Sequence, residues 1–256
     1  MSIVERLRAA GCVFAEDEAR LLADAAGTPT ALAALVERRV AGEPLEHLLG
    51  WAEFGGLRIA VDPGVFVPRR RTELLVREAV TLLAGRPSPP VVVDLCCGSG
   101  AVAAAVAAAV RPVVLHAADV DPAAVRCARR NLTHVGAHVH EGDLDAPLPA
   151  ELRGRVDVLV ANVPYVPTAE LPLMPPEARD HEPRAALDGG DDGLAILRRV
   201  ALAAPGWLAP GGHLLIETST LQSPAAAAAF AAAGLTPRVV TDEELDATAV
   251  VGHYGG

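Results

Sequence analysis

No lysine occurs among the 256 residues; all 22 basic side chains are arginine. That excludes a Schiff-base lysine and the phosphate-holding lysine of a P-loop. Aromatic residues are scarce at 3%, so a core must be built from the valine, leucine, isoleucine and alanine that dominate the 51% hydrophobic content. Cysteine is limited to Cys12, Cys96, Cys97 and Cys127. Their spacing matches neither a zinc site nor a disulfide framework, and they read as small buried hydrophobes in a reducing compartment. The longest apolar run, 101–110, is too short to cross a bilayer. Glu5, Arg6 and Arg8 interrupt the segment where a signal peptide needs apolar residues, so the expectation is a cytoplasmic protein with no membrane partner. Positive charge is also in deficit. The net charge is −10 and the one dense basic run is Arg69-Arg70-Arg71, which counts against a nucleic-acid partner.

What is present is an ordered alternation. Residues 3–41 read as helices: Ile3, Leu7 and Ala10, then Ala19, Leu22 and Ala26, recur at helical spacing. Gly11 and Gly27 mark stops, and Asp17 and Thr28 are candidate caps. Residues 51–61 read as a β-hairpin turning at Gly55-Gly56, and 74–83 as a helix. The Pro-rich break at 86–90 divides the chain into a helical unit (1–50), a hairpin with a connecting helix (51–86) and a main domain (87–256). In the main domain, strands at 91–95, 113–118, 137–140, 156–161, 213–217 and 237–240 are interleaved with helices. Such alternation implies an α/β fold with a parallel sheet covered on both faces. Residues 163–192, rich in proline and acid, form a long irregular excursion of the kind that carries function.

The first strand of that domain runs into Asp94-Leu95-Cys96-Cys97-Gly98-Ser99-Gly100, and the second ends at Asp119. Glycines between a strand and a helix let backbone approach a ligand, and a carboxylate one βα unit later can accept from both ribose hydroxyls. The same spacing fits a dinucleotide fingerprint. Asp94 suits a cationic sulfonium better than an anionic pyrophosphate. Asp143 and Leu144, after the third strand, stand where an acid could reach an adenine amino group.

The fourth strand ends in Asn162-Val163-Pro164-Tyr165. An amide or exocyclic amine nitrogen is a poor nucleophile because its lone pair is delocalised. The Asn162 side-chain oxygen and the Val163 carbonyl could each accept one of its N–H groups, with Pro164 stiffening the turn and Tyr165 packing on the planar group. Catalysis would then rest on orientation and desolvation.

At these residues the chain resembles the protein-(glutamine-N5) methyltransferases, which act on the Gly-Gly-Gln glutamine of peptide chain release factors. The segments 43–50, with Glu53 and Phe54 following, and Pro68-Arg69-Arg70-Arg71-Thr72-Glu73 are similar to family segments. So are Glu-Pro-Arg-Ala-Ala-Leu-Asp-Gly-Gly-Asp-Asp-Gly-Leu at 182–194, Pro210-Gly211-Gly212, and Glu217 with Gln222. The resemblance implies a seven-stranded, Rossmann-like class I methyltransferase using S-adenosylmethionine, with a small N-terminal helical domain that helps hold a protein substrate. It puts Cys96, Cys97, Gly98, Ser99 and Gly100 on the cofactor loop. Asp119 falls at the ribose, and Asp143 and Leu144 at the adenine. Asn162, Val163, Pro164 and Tyr165 fall on the glutamine clamp, with Asn162 also beside the cofactor.

This chain departs from the family pattern at three places. Val163 stands for the first proline of Asn-Pro-Pro-Tyr, adding an N–H and freeing φ. Cys96 replaces a glycine, at a cost wherever φ is positive. Arg70 and Arg71 replace proline and glutamate, reversing local charge. The alternatives are N-methylation of a nucleic-acid base, which the same two acceptors could hold, a non-catalytic cofactor-binding protein and, more distantly, a dinucleotide oxidoreductase. His134, His138 and His140 have no acid or cysteine at convincing ligand spacing, so no metal is expected.

Overall fold

The computed structural model describes residues 1–84, 86 and 89–256. The break expected at 86–90 therefore lies partly outside the described residues, at Pro87 and Ser88. Four helices open the chain: α1 (Ile3–Ala9), α2 (Ala15–Ala25), α3 (Pro29–Val40) and α4 (Leu45–Leu49). They enclose a core of their own around Leu7, Leu22 and Val36. Thr28 caps α3, its hydroxyl accepting from the Ala31 N–H, a bond worth about 1 kcal/mol. Asp17 is not a cap. It lies inside the first turn of α2, where it pairs with Arg20 at 2.9 Å.

The hairpin pairs β1 (Trp51–Phe54) with β2 (Leu57–Ala60) in register Trp51↔Ala60. Gly55 and Gly56 have φ of +58° and +72°, the two positive values that a tight two-residue hairpin turn requires. After a short 3₁₀ turn at Arg70–Thr72 comes α5 (Glu73–Leu83). Phe54 and Ile59 of the hairpin and Leu74, Leu75, Ala79 and Leu83 of α5 are buried in the same core as Val92 and Val158 of the main sheet.

That sheet contains β3 (Val91–Leu95), β4 (Val114–Asp119), β5 (His138–Glu141), β6 (Val156–Ala161), β7 (Leu208–Thr218), β8 (Thr236–Asp242) and β9 (Ala247–His253). Its order is β5-β4-β3-β6-β7-β9-β8, parallel except where β9 pairs antiparallel with β7 and β8. Between the strands lie α6 (Ala101–Ala109), α7 (Pro122–Leu132), α8 (Pro176–His181), α9 (Ala195–Ala203) and α10 (Ser223–Ala232). One face packs on α5, α6 and α7. The other packs on α9 and α10, with Trp207 and Phe230 fully buried there.

This is the seven-stranded class I methyltransferase architecture. Its seventh strand, β9, carries no readable alternation because both of its faces are buried from Ala247 to Gly252. The excursion after β6 is not wholly irregular: it contains a 3₁₀ helix at Thr168–Leu173, then α8 and a turn at Arg184–Ala186. On the edge strand β5, His138 and His140 project to one face and stack on His116 of β4, with ring centroids 4.8 and 5.3 Å apart. Burial and the two neighbouring rings push His116 down to about 4, so it stays neutral in the folded chain at pH 7.

Candidate active site

Three loops leave the sheet at one level because the register aligns their strands. Leu95 of β3 pairs with Ala118 of β4 on one side and with Ala161 of β6 on the other. The residues that follow, Cys96, Asp119 and Asn162, therefore emerge side by side at the carboxyl edge, where open α/β sheets bind ligands. One cavity opens there. It is lined by Asp94, Cys96, Cys97, Gly98, Ser99, Asp119, Asp143, Leu144, Asn162, Val163, Pro164 and Tyr165. Of the residues expected from sequence only Gly100 does not line it: it starts α6 one step behind, packed against Leu132 and Ala128.

The loop after β3 is built on backbone. The Cys97 N–H donates to the Ala118 carbonyl at 3.1 Å, and the Gly100 N–H to the Cys97 carbonyl at 2.7 Å. Asp119 accepts from the Gly98 and Asp121 N–H groups at 2.8 and 2.9 Å, tying the end of β4 to that loop. Asp94, 1% exposed, accepts from the Ala103 N–H at 3.1 Å and so clamps the start of α6. Burial pushes Asp94 up to about 7; the Ala103 bond opposes this and the charge of Asp119 adds to it. Burial raises Asp119 as well. Asp94 and Asp119 thus bring two carboxylates to one end of the cavity, a donor set suited to a cationic ligand. Asp143 already meets Arg199 at 2.6 Å, so one of its oxygens is engaged.

Cys96 sits at φ +55°, the left-handed region that a side chain enters at a cost of about 1–2 kcal/mol. Glycine removes that cost but loses more freedom on folding, about 0.5–1 kcal/mol. Cys96→Gly is therefore expected to stabilise the protein by roughly 1 kcal/mol. A urea unfolding midpoint that fails to rise would show that the thiol's packing outweighs the strain.

The Asn162–Tyr165 loop is held from behind by residues distant in sequence. The Asn162 Nδ2 donates to Thr72 Oγ1 at 3.3 Å. Gln222 Nε2 donates to the Tyr165 and Asp192 carbonyls at 2.9 and 3.0 Å, while its Oε1 accepts from Ser219 Oγ. The Tyr165 hydroxyl donates to Glu217 Oε1 at 3.2 Å, and Arg71 Nε donates to the same oxygen at 3.1 Å. Burial, and then the Glu217 charge, push the Tyr165 phenol up to about 12, so it remains a neutral donor.

The 182–194 stretch wraps this loop. Val166 N–H donates to the Leu187 carbonyl and Gly189 N–H to the Val166 carbonyl. Glu182 receives the Val67 N–H at 3.0 Å and Arg69 Nη2 at 2.7 Å, joining that stretch to the segment before α5. Arg39 of α3 bonds Glu18 and also Glu177 of α8, each at 2.6 Å, linking the helical unit to the excursion.

Val163 is 2% exposed and belongs to the same core as Leu95, Leu194 and Leu197, so its branched side chain is held in the interior. Among the described residues, neither the Asn162 Oδ1 nor the Val163 carbonyl receives a hydrogen bond. Both remain acceptors at the cavity wall.

Sequence reasoning missed Thr72 as the partner of Asn162 and Arg71 as a wall of the cavity. The signal was the arginine-rich segment before α5, whose contacts lie 90 to 146 residues away and cannot be read from spacing.

Comparison with known proteins agrees with this architecture. Residues 56–172 match the model of the methyltransferase small domain family. A solved methyltransferase from Pyrococcus furiosus shares the fold, with a TM-score of 0.56 over 78% of this chain and 90% of that one at 16% identity. A methyltransferase from Streptomyces pristinaespiralis, named for 4-amino-L-phenylalanine and 4-methylamino-L-phenylalanine, is 39% identical over 203 residues, 78% of this chain and 69% of that protein. The release factor glutamine methyltransferase of Geobacter sulfurreducens is 42% identical over 202 residues, again 78% of this chain and 69% of the relative. Identity at that level over most of both chains, together with the sheet order, means that this chain belongs to the release factor glutamine methyltransferase family of S-adenosylmethionine-dependent enzymes.

Proposed function

We propose that this enzyme methylates the side-chain amide nitrogen of a glutamine in a protein, a peptide chain release factor, and that Asn162-Val163-Pro164-Tyr165 holds that amide. The observation that carries the reading is the orientation of Asn162. With its Nδ2 committed to Thr72, its Oδ1 is left as an acceptor beside the equally free Val163 carbonyl. A primary amide offers two N–H groups to two such acceptors. Holding both fixes the amide plane, and Tyr165, braced by Glu217 and Gln222, supports it from the side. The buried walls at Val163, Leu144 and Ala118 exclude water.

S-adenosylmethionine supplies an electrophilic methyl group on a sulfonium. Asp94 and the 96–100 loop are assigned to its methionine end, Asp119 to the ribose, and Asp143 with Leu144 to the adenine. A cation favours the ionised form of Asp94, whose value is near 7 in the free protein. Cofactor affinity should therefore strengthen as pH rises through about 7 and level off above it, by roughly tenfold between pH 6 and pH 8. Calorimetric titration at the two pH values checks this; equal constants would remove Asp94 from the cationic site.

The substrate is tested by incubating the enzyme with labelled S-adenosylmethionine and a purified release factor, then mapping the label by peptide mass spectrometry. Label on the Gly-Gly-Gln glutamine is expected. An unlabelled release factor, with label on another component of a cell extract, would overturn the assignment.

A further inference from the structure

Arg71 carries a guanidinium whose Nη edge, among the described residues, has no carboxylate partner. Its Nε donates to Glu217 Oε1 at 3.1 Å, and its guanidinium carbon stands 5.9 Å from the Tyr165 ring centre. The side chain is 46% exposed and lines the cavity; among the described residues its carboxylate bond is made through Nε alone, and its other polar neighbour is the Tyr165 hydroxyl. Arg69, the other cation on this wall, is held by both oxygens of the buried Glu182. The cavity is thus polarised, with Asp94, Asp119, Asp121 and Asp143 toward the cofactor loop and the two arginines toward the clamp. Glu217 and Tyr165 fix the direction of Arg71 through its Nε edge and leave the two Nη groups, whose spacing matches a carboxylate bidentately.

We propose that Arg71 reads a carboxylate carried by the methyl acceptor, close to the nitrogen that the clamp holds. This rests on the amide-methylation reading and adds an anionic requirement to it. The carboxylate is either the free α-carboxylate of the reacting residue or an acidic side chain next to it in a polypeptide; the recognition chemistry is the same. Arg71 adjoins Thr72, the residue that orients Asn162, so a group bound at its fork lies at the acceptor end of the cavity.

The test titrates three probes by calorimetry into the enzyme saturated with S-adenosylhomocysteine. They are acetyl-Gly-Gly-Gln amide, acetyl-Gly-Gly-Gln with a free carboxylate, and acetyl-Gly-Gly-Gln-Glu amide. One of the charged peptides is expected to bind about 10- to 100-fold more tightly than the neutral one, and which one identifies the source. Arg71→Gln should erase the preference, and Arg71→Lys, which keeps charge without the fork, should retain part of it. Thermal melting of both variants checks that Glu217 tolerates the change. Equal binding of all three peptides overturns the proposal. So does a preference that survives in a folded Arg71→Gln protein; in that case, weaker S-adenosylhomocysteine binding by the variant would assign the fork to the cofactor's own carboxylate. A charged-peptide preference in an enzyme that leaves the release factor unlabelled would sink the amide-methylation reading and leave the carboxylate site standing.

Discussion

Asn162→Ala is expected to lower kcat/KM for methyl transfer by about a thousandfold while leaving the dissociation constant for S-adenosylmethionine within roughly threefold. On the proposed reading the amide nitrogen gains nothing from a general base until its lone pair points at the methyl carbon, so the clamp acts by orientation. Alanine removes one of the two acceptors and allows the amide to rotate about the bond it makes with the Val163 carbonyl. Asn162 also stands at the level of Cys96, since Ala161 and Leu95 are paired, and a second role beside the cofactor would show as weaker cofactor binding in the same variant. Thr72→Val separates the two roles. It removes the acceptor that holds Asn162 Nδ2 but leaves Asn162 in place, so a loss nearer tenfold in kcat/KM, with cofactor affinity unchanged, is expected. Equal labelling of a release factor by wild type and Asn162→Ala would end the clamp assignment.

The comparison of Asn162 with Thr72 shows where the sequence was informative. Asn162, Asp119 and the 96–100 loop are legible because each ends or follows a strand, and a parallel sheet brings the ends of its strands to one edge. The six strands read from periodicity all lie in the main sheet, with ends displaced by a few residues; β7 begins at Leu208, five residues before His213, because Pro210 and Gly211 obscure its start. Thr72, Arg71 and Glu217 stand in segments similar to the family's, but their roles depend on contacts between segments. Nothing in local spacing says that the turn before α5 folds over the end of β6. The departure at Cys96 was legible as a cost, and its φ of +55° is that cost in place. The departure at Val163 predicts a looser loop; burial of the side chain in the core supplies a constraint that the sequence does not display.

Gly193→Ala should be the most damaging change made outside the cavity lining, with a loss of about a hundredfold in kcat/KM and a fold that still unfolds cooperatively. Gly193 closes the 182–194 stretch at φ +75°, where alanine is strained by about 1 kcal/mol or more. A Cβ there would overlap the Tyr165 carbonyl oxygen and Gln222 Nε2 at once. These two atoms are hydrogen-bonded to each other at 2.9 Å, and together they fix the back of the clamp. Removing the overlap requires Tyr165 to move toward the cavity, which tilts the plane against which the amide rests. A displacement of about 1 Å at such a point costs on the order of a hundredfold in rate. Gln222→Ala in the same chain removes only one of the two clashes, so the double variant should remain as slow as Gly193→Ala. Recovery of activity in the double variant would place the damage at Gln222, and full activity in Gly193→Ala alone would show that the 182–194 stretch does not set the position of Tyr165.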